Sequence, residues 1–402
     1  MKHHISRALE PIQSFFRHEA FSGLLLLFFA ALAIILANSP LSGSYQAVLD
    51  AVPIAGPAAY HLDLSVLHWV NDGLMAIFFF VIGLEIKREF FFGELQSLSA
   101  TVLPVCAAVG GMLVPALLYA AVNMGGAPAA MAGWGIPMAT DIAFSLGILS
   151  VAARSAPLAI VIFLTALAIV DDLGAIIVIA LFYTGSFSLI ALLAGLAALA
   201  AAFALNRRGV LHIAPYLLLG LLAWFCFLNA GIHPTIAGVI LAFAIPIDRT
   251  HPESSLLYAL EHRLEPWSAY VIMPVFALAN AGVVLPGNLA ALTEPVALGI
   301  VVGLCIGKPL GVCGAVFLLN KFLRLPLPKV LGVGHFAGAG CLAGIGFTMS
   351  LFIAALAFPD PARLATAKLG IITASVLSGA VGAGIFLIAA RTPAVDQSSE
   401  TE

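Results

Sequence analysis

Twelve separate stretches of this chain are apolar over about the length of a membrane-spanning helix, which needs about 20 such residues. They lie at roughly 20–38, 67–91, 101–123, 134–151, 157–183, 187–206, 211–229, 231–247, 266–284, 296–319, 330–357 and 364–390. A chain built this way folds inside a bilayer, where helices satisfy their own backbone polar groups. Charge content points the same way. Of 402 residues, 9% are charged and 62% hydrophobic, against about 25% charged in a soluble domain. So few charges cannot cover a soluble core of this size. A soluble enzyme and a disordered chain are excluded. The net charge of −3 offers no basic field for nucleic acid. The expected fold is all-α and polytopic, with about twelve transmembrane helices in one domain over 1–395 and a polar tail at 396–402.

The five cysteines, Cys106, Cys226, Cys305, Cys313 and Cys341, sit inside apolar runs and form no Cys-x-x-Cys pair. They read as small core residues. The first run ends in Asn38-Ser39-Pro40 without a small-residue cleavage pattern, so it reads as a retained helix. Two connectors stand out. The stretch 39–65 is rich in Pro and Gly, and its Tyr45–Leu49 segment is expected to pair as a short hairpin. The stretch 248–265 is expected to form a helical surface segment. With the N-terminus inside, fourteen of the seventeen Lys and Arg fall in one set of connectors and two, Arg363 and Lys368, in the other. The positive-inside rule then places both termini in the cytoplasm. The seventeenth, Lys308, lies within a span.

Ionisable side chains inside a span cost at least about 2.5–3.5 kcal/mol each, so each marks a functional hypothesis. Asp171 and Asp172 sit near the middle of the fifth run, Asp141 near the middle of the fourth, and Lys308 near the middle of the tenth. Adjacent helical residues point about 100° apart. One of the paired aspartates can therefore meet Lys308 while the other faces water. Two carboxylates in a low-dielectric site repel, and burial disfavours their charge. Such a site holds protons at low pH and a hard monovalent cation at higher pH. Both compete for the same oxygens, which is the core of proton–cation exchange. Asp72 lies near the outer end of the second run. Glu85 and Glu89 lie near its inner end, Glu85 at a cytoplasmic mouth and Glu89 beside Lys87 and Arg88.

Two runs are interrupted. The fourth carries Gly133, Gly135 and Pro137 before Thr140-Asp141, and the eleventh carries six glycines ending in Gly344-Ile345-Gly346. Each break leaves a partly positive and a partly negative half-helix end. Asp141 is placed to offset the first and Lys308 the second. Runs three to five and ten to twelve each have a broken middle member and begin on opposite sides of the membrane. They read as inverted repeats over about 101–183 and 296–390, a pattern already known from secondary transporters.

The segment Phe163–Ile176, with its Asp171-Asp172 pair, closely resembles the paired-aspartate span of the NhaA-type sodium/proton antiporters, a family that is itself an example of that repeat pattern. Ala139–Phe144, Phe79–Glu89, Gly307–Gly311 and Gly344–Ser350 resemble the same family. The resemblance runs from about Phe15 to Leu387. It implies an inner-membrane exchanger of cytoplasmic Na+ or Li+ for external H+. Transport would be electrogenic, with more protons than cations per cycle, inactive in acid and active in alkali. It implies that Asp172 is the main cation ligand and that Asp171 exchanges protons and pairs with Lys308. Thr140 and Asp141 would shape the site, and Asp72 and Glu85 would line the outer and inner funnels. It further implies a pH response at Glu89, His233, Glu261 and His262, and a homodimer through 39–65 in membrane lipid. The sequence departs from the family at Glu265, where relatives can carry His, and at Pro234. These departures bear on the pH profile, not on the exchange.

Other classes fit poorly. A cation channel would use a ring of acids from several subunits, and Lys308 at the same depth opposes it. A membrane protease would need Gly-x-Gly-Asp, a metal–diphosphate site a further acid, and a zinc enzyme Cys/His spacing. None is present. No Gly-x-x-x-x-Gly-Lys-Ser/Thr loop occurs either, so no ATP or other cofactor is implied.

Overall fold

The computed structural model describes residues 21–54, 62–93, 98–152, 156–183, 188–248, 250–285, 289–323 and 331–389. Among these residues there is helix and no strand. In chain order the helices are α1 (Phe21–Ala37), α2 (Ser42–Asp50), α3 (Val66–Phe92), α4 (Leu98–Asn123), α5 (Ile142–Ala152), α6 (Leu158–Phe182) and α7 (Leu189–Arg207). They continue with α8 (Ile213–Ala230), α9 (Thr235–Ala244), α10 (256–280), α11 (295–323), α12 (Val333–Ala343), α13 (Phe347–Ala357) and α14 (Pro361–Ala389). A 3₁₀ segment, Pro128–Met138, precedes α5.

Seven helices are long and apolar enough to cross a membrane, and three further pairs are bent at a short break. The chain is a multi-pass membrane protein. The expected interruptions are present: Pro128–Met138 meets α5 at 47°, and α12 meets α13 at 43°. The eighth run is shorter than read, because α9 holds ten residues. Gly231, left-handed at φ 76°, ends α8 just before it, a position that suits glycine. The weak break at 184–187 and the tail at 396–402 lie outside the described residues.

The hairpin expected at Tyr45–Leu49 is a correction. These residues belong to α2, which bends 111° from α1. Tyr45 and Leu49 are four apart, on one helical face. Leu49 is buried, and the Tyr45 hydroxyl donates to the Leu278 carbonyl at 2.6 Å. Helical spacing thus satisfies both side chains. The connector 248–265 is helical from Leu256 onward, but it is not separate from the next span: α10 runs on through a π turn, Ser268–Ile272.

Small residues set the packing at the centre. α4 and α11 cross where Gly110 faces Gly311, and a Cβ on Gly311 would collide with the Gly110 carbonyl. Such backbone approach is how membrane helices gain contact. Backbone cannot yield as a side chain can. Gly311→Ala is therefore expected to destabilise by about 1–3 kcal/mol, read as a lower melting temperature in detergent. An unchanged value would show that the crossing is loose.

Candidate functional site

The site is built where the two broken helices cross. Each break leaves carbonyls without helical partners, which is costly at membrane depth. Here the opposite break supplies the donors. The Asp141 backbone N–H donates to the Ile345 carbonyl at 2.7 Å. The Thr140 hydroxyl donates to the Ala343 carbonyl and the Ser145 hydroxyl to that of Leu342, both at 2.8 Å. The Ser350 hydroxyl returns a bond to the Ile136 carbonyl at 2.8 Å. Gly344 and Gly346 keep the break compact: a Cβ on Gly344 would strike the Leu304 carbonyl of α11, and one on Gly346 the Ser350 hydroxyl.

Four charged side chains converge here, all buried. Asp141 answers two helix N-termini at once. Its Oδ1 accepts from the Phe144 N–H at 3.1 Å, and its Oδ2 from the Thr348 N–H at 3.1 Å and from the Thr348 hydroxyl. Lys308 answers the opposite pole, donating to the Met138 carbonyl that ends the 3₁₀ segment. It also bonds Asp171 Oδ2 at 2.6 Å; the single Thr140 hydroxyl proton is shared between this oxygen, at 2.7 Å, and the Ala343 carbonyl. Lys308 follows directly on a π turn, Gly303–Gly307, a local geometry common at functional sites.

The two aspartates divide their surroundings. Asp171 turns to Lys308. Asp172 lines a cavity of about 330 Å³ that also touches Asp141 and extends to Glu85, Arg88, Glu89, Glu261 and Glu265. Among the described residues, Asp171 Oδ1 and Asp172 Oδ1 are buried with no hydrogen-bond partner. A buried carboxylate oxygen left unpaired is a ready acceptor for a proton or a hard cation.

At the mouth of the cavity Arg88 sits between Glu89 and Glu261, 2.7 Å from each. Burial pushes the Glu261 carboxyl above the usual glutamate range, and Arg88 pulls it back only in part. Lys87 takes no acid partner here; it donates to the Phe243 and Ile245 carbonyls at the end of α9, at 2.7 and 2.5 Å. His262 is exposed on α10 and does not line the cavity.

Asp72 and His233 form a separate cluster. Asp72 sits on a π turn, Trp69–Leu74, with its backbone carbonyl held by Trp224 Nε1 at 2.8 Å. His233 Nε2 lies 3.5 Å from Asp72 Oδ1. The His233 ring packs edge-on against Phe352 at 5.2 Å, and Phe352 also meets Phe79 and Phe276. Phe352 stands one turn beyond Thr348 on α13, and the cavity does not reach Asp72.

Residue-by-residue reading of charges missed the hydroxyls that complete the site. Thr348 is Asp141's closest partner, Ser145 and Ser350 bridge the crossing, and the Ser375 hydroxyl on α14 accepts the Phe347 N–H at 3.2 Å. The available signal is a hydroxyl inside an apolar run next to a glycine break, as at Thr348 and Ser350.

The family model described as Na+/H+ antiporter 1 matches residues 13–386. The protein "Na(+)/H(+) antiporter NhaA 1" of Clostridium beijerinckii is 50% identical, over 96% of this chain and 98% of the relative. "Na(+)/H(+) antiporter NhaA" of Pseudomonas putida is 49% identical over 95% and 98%. The protein of that name in Bordetella bronchiseptica is 49% identical over 94% and 96%.

Proposed function

This chain belongs to the Na+/H+ antiporter 1 family, and we propose that it exchanges Na+ for H+ at Asp172, with Asp171 and Lys308 as the paired charges beside it. It is a secondary transporter, not an enzyme. The observation that carries the assignment is the cavity that begins among carboxylates and ends at Asp172, whose Oδ1 is unpaired. A cation entering there replaces protons on the same oxygens. Asp141 and Thr140 set the shape of the crossing. Glu85 lines the inner funnel, and Asp72 belongs to the outer one, closed behind Phe352.

The membrane is the bacterial inner membrane, with both termini in the cytoplasm on the charge asymmetry of the connectors. That orientation makes the cavity cytoplasmic. Alternating access follows if the two broken helices, within repeats over about 101–183 and 296–390, rock as a unit. One domain over 1–395 carries this. Li+ uses the same oxygens as Na+. Transport moves net charge, and each unit charge crossing about 100 mV is worth about 2.3 kcal/mol. That supports sodium extrusion without ATP. Membrane lipid surrounds a homodimer formed through 39–65.

The direct test is reconstitution: a sodium pulse should collapse a preset pH gradient in proteoliposomes. No response to Na+ or Li+ from folded protein would overturn the assignment.

The pH response is assigned to the mouth, with Glu89 and Glu261 sharing Arg88 and His262 on the adjoining surface, and to His233 at the outer cluster. Glu261 gives a signed expectation. A carboxyl that holds its proton above the ordinary range of about 4.3 stabilises the fold in acid. That contribution is lost as pH rises through the raised value. Glutamine never ionises. The melting temperature of Glu261→Gln relative to the parent should therefore climb as pH rises above the ordinary value of about 4.3. A difference that does not change with pH would show that Glu261 does not titrate with a raised value.

A further inference from the structure

We propose that Thr165 is a cation-entry residue of the exchange: its hydroxyl replaces one water of the cation's hydration shell on the way to Asp172. The inference rests on the assignment of Asp172 as cation ligand.

Between Leu158 and Phe182, α6 carries three side chains that are not apolar: Thr165, Asp171 and Asp172. Thr165 precedes Asp172 by seven residues. That is two turns, about 10.5 Å of rise, and the same helical face. Both line the cavity, whereas Asp171 does not. A helical threonine commonly donates to the carbonyl four residues earlier. Among the described residues the Thr165 hydroxyl has no hydrogen-bond partner, and it is not sealed from solvent. It is a free hydroxyl in the cavity wall.

Its position explains what it can do. The acids at the mouth concentrate cations, but Glu89 and Glu261 there share Arg88. Asp172 lies deep. The wall between them is largely apolar, with Phe78, Ile82, Leu146 and Met273 among its residues. Ser268 supplies a hydroxyl too, but near Glu265 at the mouth. A small cation moving inward must exchange shell water for protein oxygen. Thr165 offers one such oxygen at intermediate depth. It is two turns short of Asp172, so it acts on entry and not on the bound ion. Removing it should therefore act on the apparent KM more than on the maximal rate.

The test is Na+ and Li+ titration of exchange in proteoliposomes for the parent and for Thr165→Val, Thr165→Ser and Thr165→Ala, with Asp172→Asn alongside. Valine keeps the shape and removes the oxygen. The expected result is a KM raised about three- to tenfold, the worth of one hydrogen-bond-strength contact. Serine should restore the parental KM, and alanine should behave like valine. The melting temperatures and maximal rates should stay near the parent's. A KM unchanged in both the valine and alanine variants, with Asp172→Asn inactive, overturns the role of Thr165 alone. Exchange that survives in Asp172→Asn overturns the Asp172 assignment and this inference with it.

Discussion

Asp172→Asn is expected to abolish sodium-driven proton movement while the protein stays folded. Asparagine fills the same volume, so the packing around α6 is kept. It can neither hold an exchangeable proton nor supply an anionic ligand. The charge-conserving bridge is elsewhere, on Asp171, which bonds Lys308 at 2.6 Å. The variant therefore removes the ligand and leaves the pair that locks the helices. It also removes one of several like charges close together, Asp141 and Asp171 being the neighbours, and like charges in a dry site oppose one another. The melting temperature should thus stay level or rise. The rate should fall at least about 100-fold, which corresponds to losing about 2.7 kcal/mol of ion binding. The measurement is the internal pH of proteoliposomes after a sodium pulse, with melting in detergent as the control for folding. Residual exchange at a tenth of the parental rate would move the cation to other oxygens. Loss of activity together with a lower melting temperature would make Asp172 a structural residue.

Much of this site is legible in the sequence, because the bilayer makes charge rare. Asp141, Asp171, Asp172 and Lys308 stand out against an apolar background, and the structure brings all four together. Their helix-end partners are legible as well: glycine and proline breaks expose poles that need opposite charge, and Asp141 and Lys308 meet them. Hydroxyls are harder to see. Thr348 and Ser145 look like small residues tolerated in a span, and only the crossing reveals which carbonyls they serve. The π turns that carry Asp72, precede Lys308 and join the mouth to the span in α10 leave no sequence mark, since packing decides them. The α2 segment shows a different limit. Tyr45 and Leu49 suit both a strand and a helix locally. The contact of Tyr45 with Leu278, 233 residues away, favours the helix.

Lys308→Ala is expected to lower the melting temperature more than any other single change at the crossing. The lysine is fully buried and has two partners, the Asp171 carboxylate and the Met138 carbonyl. Truncation leaves a buried carboxylate with no cation and a helix end with no donor. Breaking a buried pair from one side costs about 3–5 kcal/mol. A second change separates the charge from the space it occupied. Replacing both members, Lys308→Met with Asp171→Asn, removes the stranded charge and retains most of the volume, and such replacements are often close to neutral. The double variant should therefore recover most of the lost stability, while exchange stays absent. If the double variant melts as low as Lys308→Ala, the lysine stabilises the crossing through the Met138 carbonyl and its own packing. The bridge to Asp171 would then serve proton exchange, not the fold.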